Sequence, residues 1–326
     1  MPGRPTPPLV CQPLPLPRPW GGERAADFTG VAPPRGGAPI GEWWLLSSRP
    51  DHPTLVASGP FAGQPLTQVV ASEGERLLGA ALAARGRLPL LVKLLDTAAP
   101  LSIQLHPSEQ SIPGEGKTET WYVLDARPDA SLWLGLARGV TLEQFFERVG
   151  SGGDPAPLLE RHAARPGLVA HLESGVIHAL GGGVVALEVQ TSADTTYRIF
   201  DWHRRPAREL HVARARSVAR PDQRIELPRP RRSNDAAPAR DLLVECPEYR
   251  FERLRLSSPT RLVAADDRFE ILLPLGGALR LASAAGAVEV PRGHAALVPA
   301  RSGPLELSPT APLELLRVVP GIASPP

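Results

Sequence analysis

Two histidines, a carboxylate and a carboxamide occur at spacings that β-strands can gather. In PLSIQLHP (100–107) side chains alternate with period two, so Ser102, Gln104 and His106 share one face while Ile103 and Leu105 take the other. In GKTETWYVLDA (116–126) Lys117 and Glu119 share parity and lead into an apolar, aromatic strand, and His178 ends the SGVIH turn. Gln104, His106, Glu119 and His178 together offer one amide oxygen, two imidazoles and one carboxylate. Such neutral nitrogen and hard oxygen donors suit zinc or another first-row divalent ion. On spacing alone, a Gln-x-His pair is more often an ordinary hydrogen-bonded histidine.

Three further residues carry chemistry. Of 36 basic residues only two are lysine, Lys93 and Lys117. A compact ammonium can sit on a phosphate as a point charge and responds to desolvation in ways that a guanidinium does not. Glu188 stands in GVVALEVQT among Val185, Leu187 and Val189 of opposite parity. It either faces solvent from an exposed sheet or sits in a cavity with a raised pKa suited to proton transfer. Arg198, in the aromatic-rich TTYRIFDW, is either an ion-pair residue of the fold or an anion clamp.

The elements that must position these groups read as mainly β. Thirty-nine prolines and thirty glycines punctuate short alternating runs, the clearest being 88–96, 101–106, 120–125, 167–172, 184–190, 196–202, 242–244, 250–256, 269–273 and 278–282. Helices are predicted over 142–149, capped by Thr141, and over 157–164, with a third candidate at 77–85. The polar, proline-rich stretch 221–240 reads as a linker. A faint repeat supports two similar β units: Gly167-x5-Glu173-x-Gly175-x2-His178 is echoed by Gly293-x5-Pro299. The position matching His178 is Pro304, which has no side-chain donor atom, so the second unit is expected to lack the metal.

Composition narrows the function. Thirty-six basic and 34 acidic residues leave a net charge of +2, too small for a nucleic-acid-binding field. No apolar run approaches the roughly 18–20 residues of a membrane span, and the N-terminus alternates proline with leucine instead of forming a signal sequence. Isolated Cys11 and Cys246 fit a reducing, cytoplasmic compartment.

The strings WGG (20–22), PIGEWW (39–44), LLVKLLD (90–96), PLSIQLHPSE (100–109), GKTETWYVLDA (116–126), IHALGGG (177–183) and TTYRIFDWHRRPARELHV (195–212) resemble class I mannose-6-phosphate isomerases (phosphomannose isomerases) in their short bacterial form. The resemblance runs from about Trp20 to Val212 and continues more weakly beyond. It implies two cupin-type (jelly-roll) β-barrels with a small helical insertion near 141–166. The metal-binding catalytic unit would occupy 1–220, the linker 221–240 and a metal-free second unit 241–326. It implies one Zn2+ per chain, or another first-row divalent ion, held by Gln104, His106, Glu119 and His178. Ser102, Lys93 and Lys117 would surround the phosphate of a sugar-phosphate substrate, with Arg198, Glu188 and Lys117 catalytic. The expected reaction interconverts mannose 6-phosphate and fructose 6-phosphate through an enediolate; the alternative is a sugar-phosphate-binding regulatory cupin. Whether the chain acts as a monomer or a homodimer stays open. One departure from the family pattern touches the turn before His178: Glu173-Ser174-Gly175 replaces a Pro-Ala-Gly type of turn, keeping the glycine and losing the rigid proline.

Overall fold

The alternating apolar runs become strands in a computed structural model that describes residues 6–34, 36–233 and 238–322. They build four sheets stacked face to face. A five-stranded sheet orders Tyr197–Phe200, Ile103–Leu105, His178–Leu180, Ser131–Leu136 and Leu159–Ala163. Against it lies a six-stranded sheet ordering Val169–Leu172, Glu119–Ala126, Val184–Thr191, Leu90–Asp96, Ile40–Leu46 and Leu14–Gly22. Beyond that come an eight-stranded sheet, built mostly from residues after 230, and a four-stranded sheet of Thr260–Val263, Pro304–Pro309, Leu279–Ser283 and Gly286–Val290.

Alternation explains the stacking. Along Val184–Thr191, Val185, Leu187 and Val189 join a core shared with Tyr249, Phe251, Ile271 and Val318 of the eight-stranded sheet. Ala186 faces the other way, into a core with Leu132, Leu134 and Leu180 of the five-stranded sheet. The six-stranded sheet is therefore covered on both faces. In the outer pair of layers, Leu254, Leu272, Leu281, Leu305 and Leu307 fill the space between the eight- and four-stranded sheets.

Mainly β architecture is found, but the sheets are open instead of closing into barrels. At one edge the reason is visible in the sequence. In Leu14–Gly22 the N–H of Arg18 bonds inward to Pro39, so Pro15, Pro17 and Pro19 turn their missing donors outward, where no further strand could pair.

The helix over Leu142–Gly150 forms as predicted, with Thr141 and Gln144 making a reciprocal capping box. The helix predicted at 157–164 does not form. Prolines 155 and 157 allow one 3-10 turn, Ala156–Leu158, and the chain then runs as the edge strand Leu159–Ala163 against Ser131–Leu136. The candidate at 77–85 straddles two helices, Leu66–Leu78 and Ala80–Ala83, split at Gly79 (φ 86°), where a Cβ would lie 2.0 Å from the Asp267 carbonyl oxygen.

Two findings bear on the division of the chain. Leu9–Gln12 and Leu55–Val56 belong to the eight-stranded sheet, Leu9 pairing with Leu297 and Cys11 with Val56. Within 221–240, where residues 234–237 lie outside the described residues, Gln223 is buried and stitched to the turn before His178. Its Oε1 accepts from the Ile177 N–H and its Nε2 donates to the Gly175 carbonyl, both at 2.8 Å.

Candidate active site

The donors converge between the five- and six-stranded sheets. His178 lies directly across from Gln104, which on its other side pairs with Arg198, and His106 follows just after that strand. From the opposite sheet Glu119 projects inward, and Glu188 sits between Lys93 and Trp121 in register. His106, Glu119 and His178 place donor atoms within 4.8 Å of one another, all buried. Glu119 Oε2 is 3.5 Å from His106 Nε2, and Glu119 Oε1 is 3.3 Å from His178 Nε2.

The hydrogen bonding behind the imidazoles fixes their chemistry. His106 Nδ1 faces the Thr195 carbonyl and His178 Nδ1 the Val176 carbonyl, each at 2.9 Å. A carbonyl only accepts, so Nδ1 carries the proton in both rings and each Nε2 presents a lone pair. Burial, the largest influence on both, pushes their pKa values down, His178 to about 3. For Glu119, burial works to raise the pKa, but Lys117 and His106 outweigh it and hold the carboxyl well below its usual value. His106 Nε2, His178 Nε2 and Glu119 Oε1 are buried without a hydrogen-bond partner, and Glu119 Oε2 has only the Lys117 ammonium. Lone pairs and a carboxylate thus face one another, a repulsive arrangement that a divalent cation between them would relieve. The residues present fit such an ion.

Gln104 is half-buried at the margin of this cluster, its amide oxygen accepting from Ser102 Oγ at 3.0 Å. Both residues line a cavity of about 330 Å³ together with Lys93, Lys117, Glu188, Asp194 and Arg198. Lys117 links cavity to cluster, with Nζ 2.8 Å from Glu119 and 3.9 Å from Glu188. Lys93 lies 2.9 Å from Asp194 and 3.5 Å from Glu188, its ammonium 4.9 Å above the Trp44 ring. Burial opposes the charge on both lysines, yet neighbouring carboxylates prevail and raise both pKa values. Each remains an ammonium.

Glu188 faces the cavity, not solvent. Trp121 Nε1 donates to its Oε2 at 2.9 Å, and burial followed by repulsion from Glu119 raises its pKa to about 7. Arg198 is half-buried on the cavity wall. Its Nη1 donates to the Glu209 carbonyl at 2.7 Å and its Nε is buried without a partner.

Sequence reasoning missed several groups here. Asp194 pairs with Lys93 across 101 positions of chain, and Lys93 outweighs burial to hold its pKa at about 2. Glu42 accepts from Arg18 Nε at 3.0 Å and from Trp44 Nε1 at 2.9 Å, and lies 3.9 Å from Lys93. The signal available was Glu42 sharing parity with Trp44 in PIGEWW; nothing local marked Asp194, Arg18 or Arg208, which also line the cavity.

The chain matches known proteins in sequence and in fold. Residues 16–134 match the family described as phosphomannose isomerase type I, catalytic domain. The probable mannose-6-phosphate isomerase GmuF of Bacillus subtilis is 39% identical over 223 residues, covering 65% of this chain and 68% of that protein. Mannose-6-phosphate isomerase ManA of the same organism is 35% identical over 222 residues with the same coverage. A crystal structure of mannose 6-phosphate isomerase from B. subtilis superposes with a TM-score of 0.84 at 26% identity, covering 96% of this chain and 100% of that one. With sequence, fold and the buried donor cluster in agreement, the chain belongs to the type I phosphomannose isomerase family.

Proposed function

We infer that this chain interconverts mannose 6-phosphate and fructose 6-phosphate in the 330 Å³ cavity. His106, Glu119 and His178, with Gln104 alongside, would hold a zinc or other first-row divalent ion. The observation that carries the reading is the set of buried donor atoms on His106, His178 and Glu119, three of them without a hydrogen-bond partner, beside a carboxyl held between two ammoniums. When bound, the ion supplies Lewis acidity towards sugar oxygens; the carboxamide adds no charge to offset its own.

Isomerisation needs a proton moved between neighbouring carbons and a negative oxygen stabilised meanwhile. Glu188 Oε1 takes the proton from carbon 2 of the open-chain aldose and returns it to carbon 1, while the hydroxyl proton passes from O2 to O1. Trp121 holds the other carboxyl oxygen, so the reactive one stays aimed at the cavity. Lys117, charged and 3.9 Å from Glu188, steadies the enediolate, and Arg198 adds a guanidinium from the facing sheet. Ser102, Lys93 and Lys117 remain the proposed phosphate contacts, and Arg18 and Arg208 on the same cavity add forks suited to an anion. Binding the phosphate fixes the reacting carbons in place.

The architecture supports two cupin-like halves, each a pair of facing sheets, the second filled with leucine where the first holds polar groups. The first would be the catalytic unit, residues 1–220, joined through 221–240 to a metal-free unit in 241–326. Free Cys11 and Cys246 support a cytoplasmic setting, and among the described residues no helix is long and apolar enough to cross a membrane.

The test is to strip the protein with chelator, restore zinc, cobalt or manganese, and assay formation of fructose 6-phosphate. Turnover should vanish with the metal and return with it. His106→Ala and Glu119→Ala should retain the β fold, bind no metal and be inactive. Absence of turnover with every metal, or full metal content in both variants, refutes the reading.

A further inference from the structure

Thr120 lies between Glu119 and Trp121, so its side chain points away from the cavity, into the core between the two central sheets. There it meets a residue from the other half of the molecule. Tyr249, fully buried in the strand Tyr249–Leu256, brings its hydroxyl 2.7 Å from Thr120 Oγ1 and 3.2 Å from the Val189 carbonyl oxygen. His171 Nδ1 approaches Thr120 Oγ1 from the next strand at 2.9 Å. Thr120 pairs in register with His171 on one side and with Val189 on the other, so the phenol sits where three strands meet.

The three bonds can be made together in one direction only. The Val189 carbonyl must accept, which commits the tyrosine proton. Tyr249 Oη must then accept from Thr120, and Thr120 Oγ1 from the His171 Nδ1–H. All three bonds are satisfied and Thr120 and Tyr249 are fully buried, the condition under which a polar network rigidifies its surroundings. Its contacts are selective: Thr120 is flanked by Glu119 and by Trp121, which holds Glu188, and Val189 directly follows Glu188.

We propose that Tyr249 is a positioning residue for the isomerase reaction, its hydroxyl fixing from behind the relative placement of Glu119 and Glu188. Resting on the site reading above, this gives the second half of the chain a part in catalysis without touching substrate. Small displacements of reacting groups are costly in rate, and removing one oxygen from a buried chain leaves its partners unsatisfied.

The test compares Tyr249→Phe, Thr120→Val, the double variant and Thr120→Ser in the full chain. Tyr249→Phe and Thr120→Val should each lower kcat about tenfold with KM held within about twofold. The double variant should be no worse than either single one, and Thr120→Ser should retain the wild-type rate. Cobalt loaded in place of the native metal gives a readout independent of turnover: its visible absorption should shift, and its affinity fall several-fold, in both hydroxyl-deleting variants. A folded Tyr249→Phe with a lower melting temperature but wild-type kcat and cobalt spectrum overturns the proposal, because the hydroxyl then contributes only stability. If Tyr249→Phe fails to fold, Thr120→Val decides by the same criteria. A wild-type protein that neither turns over nor binds cobalt overturns the site reading and this inference with it, whereas normal wild-type behaviour with silent variants overturns this inference alone.

Discussion

Lys117 concentrates the site's chemistry in one atom. Its Nζ lies 2.8 Å from Glu119 and 3.9 Å from Glu188, and its side chain is 4% exposed. A slot this closed accepts a compact ammonium on a flexible stem; a planar guanidinium needs more width and different donor directions. Lys117→Arg conserves charge and changes only shape, and kcat/KM should fall about a hundredfold while the protein stays folded, as a 1 Å misplacement can cause. Steady-state kinetics and metal content decide, and wild-type rates would remove any meaning from the scarcity of lysine. At this scale the sequence was informative for rare residue types. Two lysines among 36 basic residues both proved buried at the cavity, as did an acid set in an apolar strand. It was silent about Asp194, an ordinary acid in a Ser/Thr-rich turn whose partner Lys93 is 101 positions away.

The element that presents His178 is a turn, and its geometry rests on Gly175. That residue has φ 79°, and a Cβ there would lie 2.8 Å from the Val218 carbonyl oxygen. Its N–H donates to the His106 carbonyl at 2.7 Å and its own carbonyl accepts from Gln223, so one glycine joins the two imidazole-bearing segments to the stretch after 220. Gly175→Ala should cost about 1–3 kcal/mol of stability through the left-handed backbone and the clash. It should also weaken metal binding, because His178 and His106 move apart. Thermal melts with and without added zinc check this: the gain in melting temperature on adding zinc should shrink in the variant. Elements like this were legible because glycine and alternating strands leave strong local marks. The stretch 157–164 was not. Its helical spacing is overridden by Pro155 and Pro157 and by pairing with a strand almost thirty residues earlier, which no local pattern reveals.

Across the whole molecule the two halves share a core instead of a linker. Trp43, Leu90, Val92, Leu94, Leu187 and Val189 of the six-stranded sheet pack against Tyr249, Phe251, Ile271, Leu316 and Val318, all buried. Each such side chain is worth about 1.5–3 kcal/mol when buried, and exposing the whole face would exceed the margin by which domains are stable. The first strand, Leu9–Gln12, also takes its neighbour Ala296–Val298 from the far end of the chain. A faint repeat led to the expectation of two similar β units, but neither this strand exchange nor the shared face could be read from spacing, because both depend on contacts between residues far apart in the chain. A chain ended after residue 233 keeps every proposed ligand and cavity residue, yet should not fold into an active unit. It should bind a hydrophobic dye, lose near-ultraviolet circular dichroism and show no turnover with added metal. A truncated protein that melts cooperatively and converts mannose 6-phosphate would mean that the outer layers are dispensable, and that the shared core stabilises the molecule without being needed to shape its site.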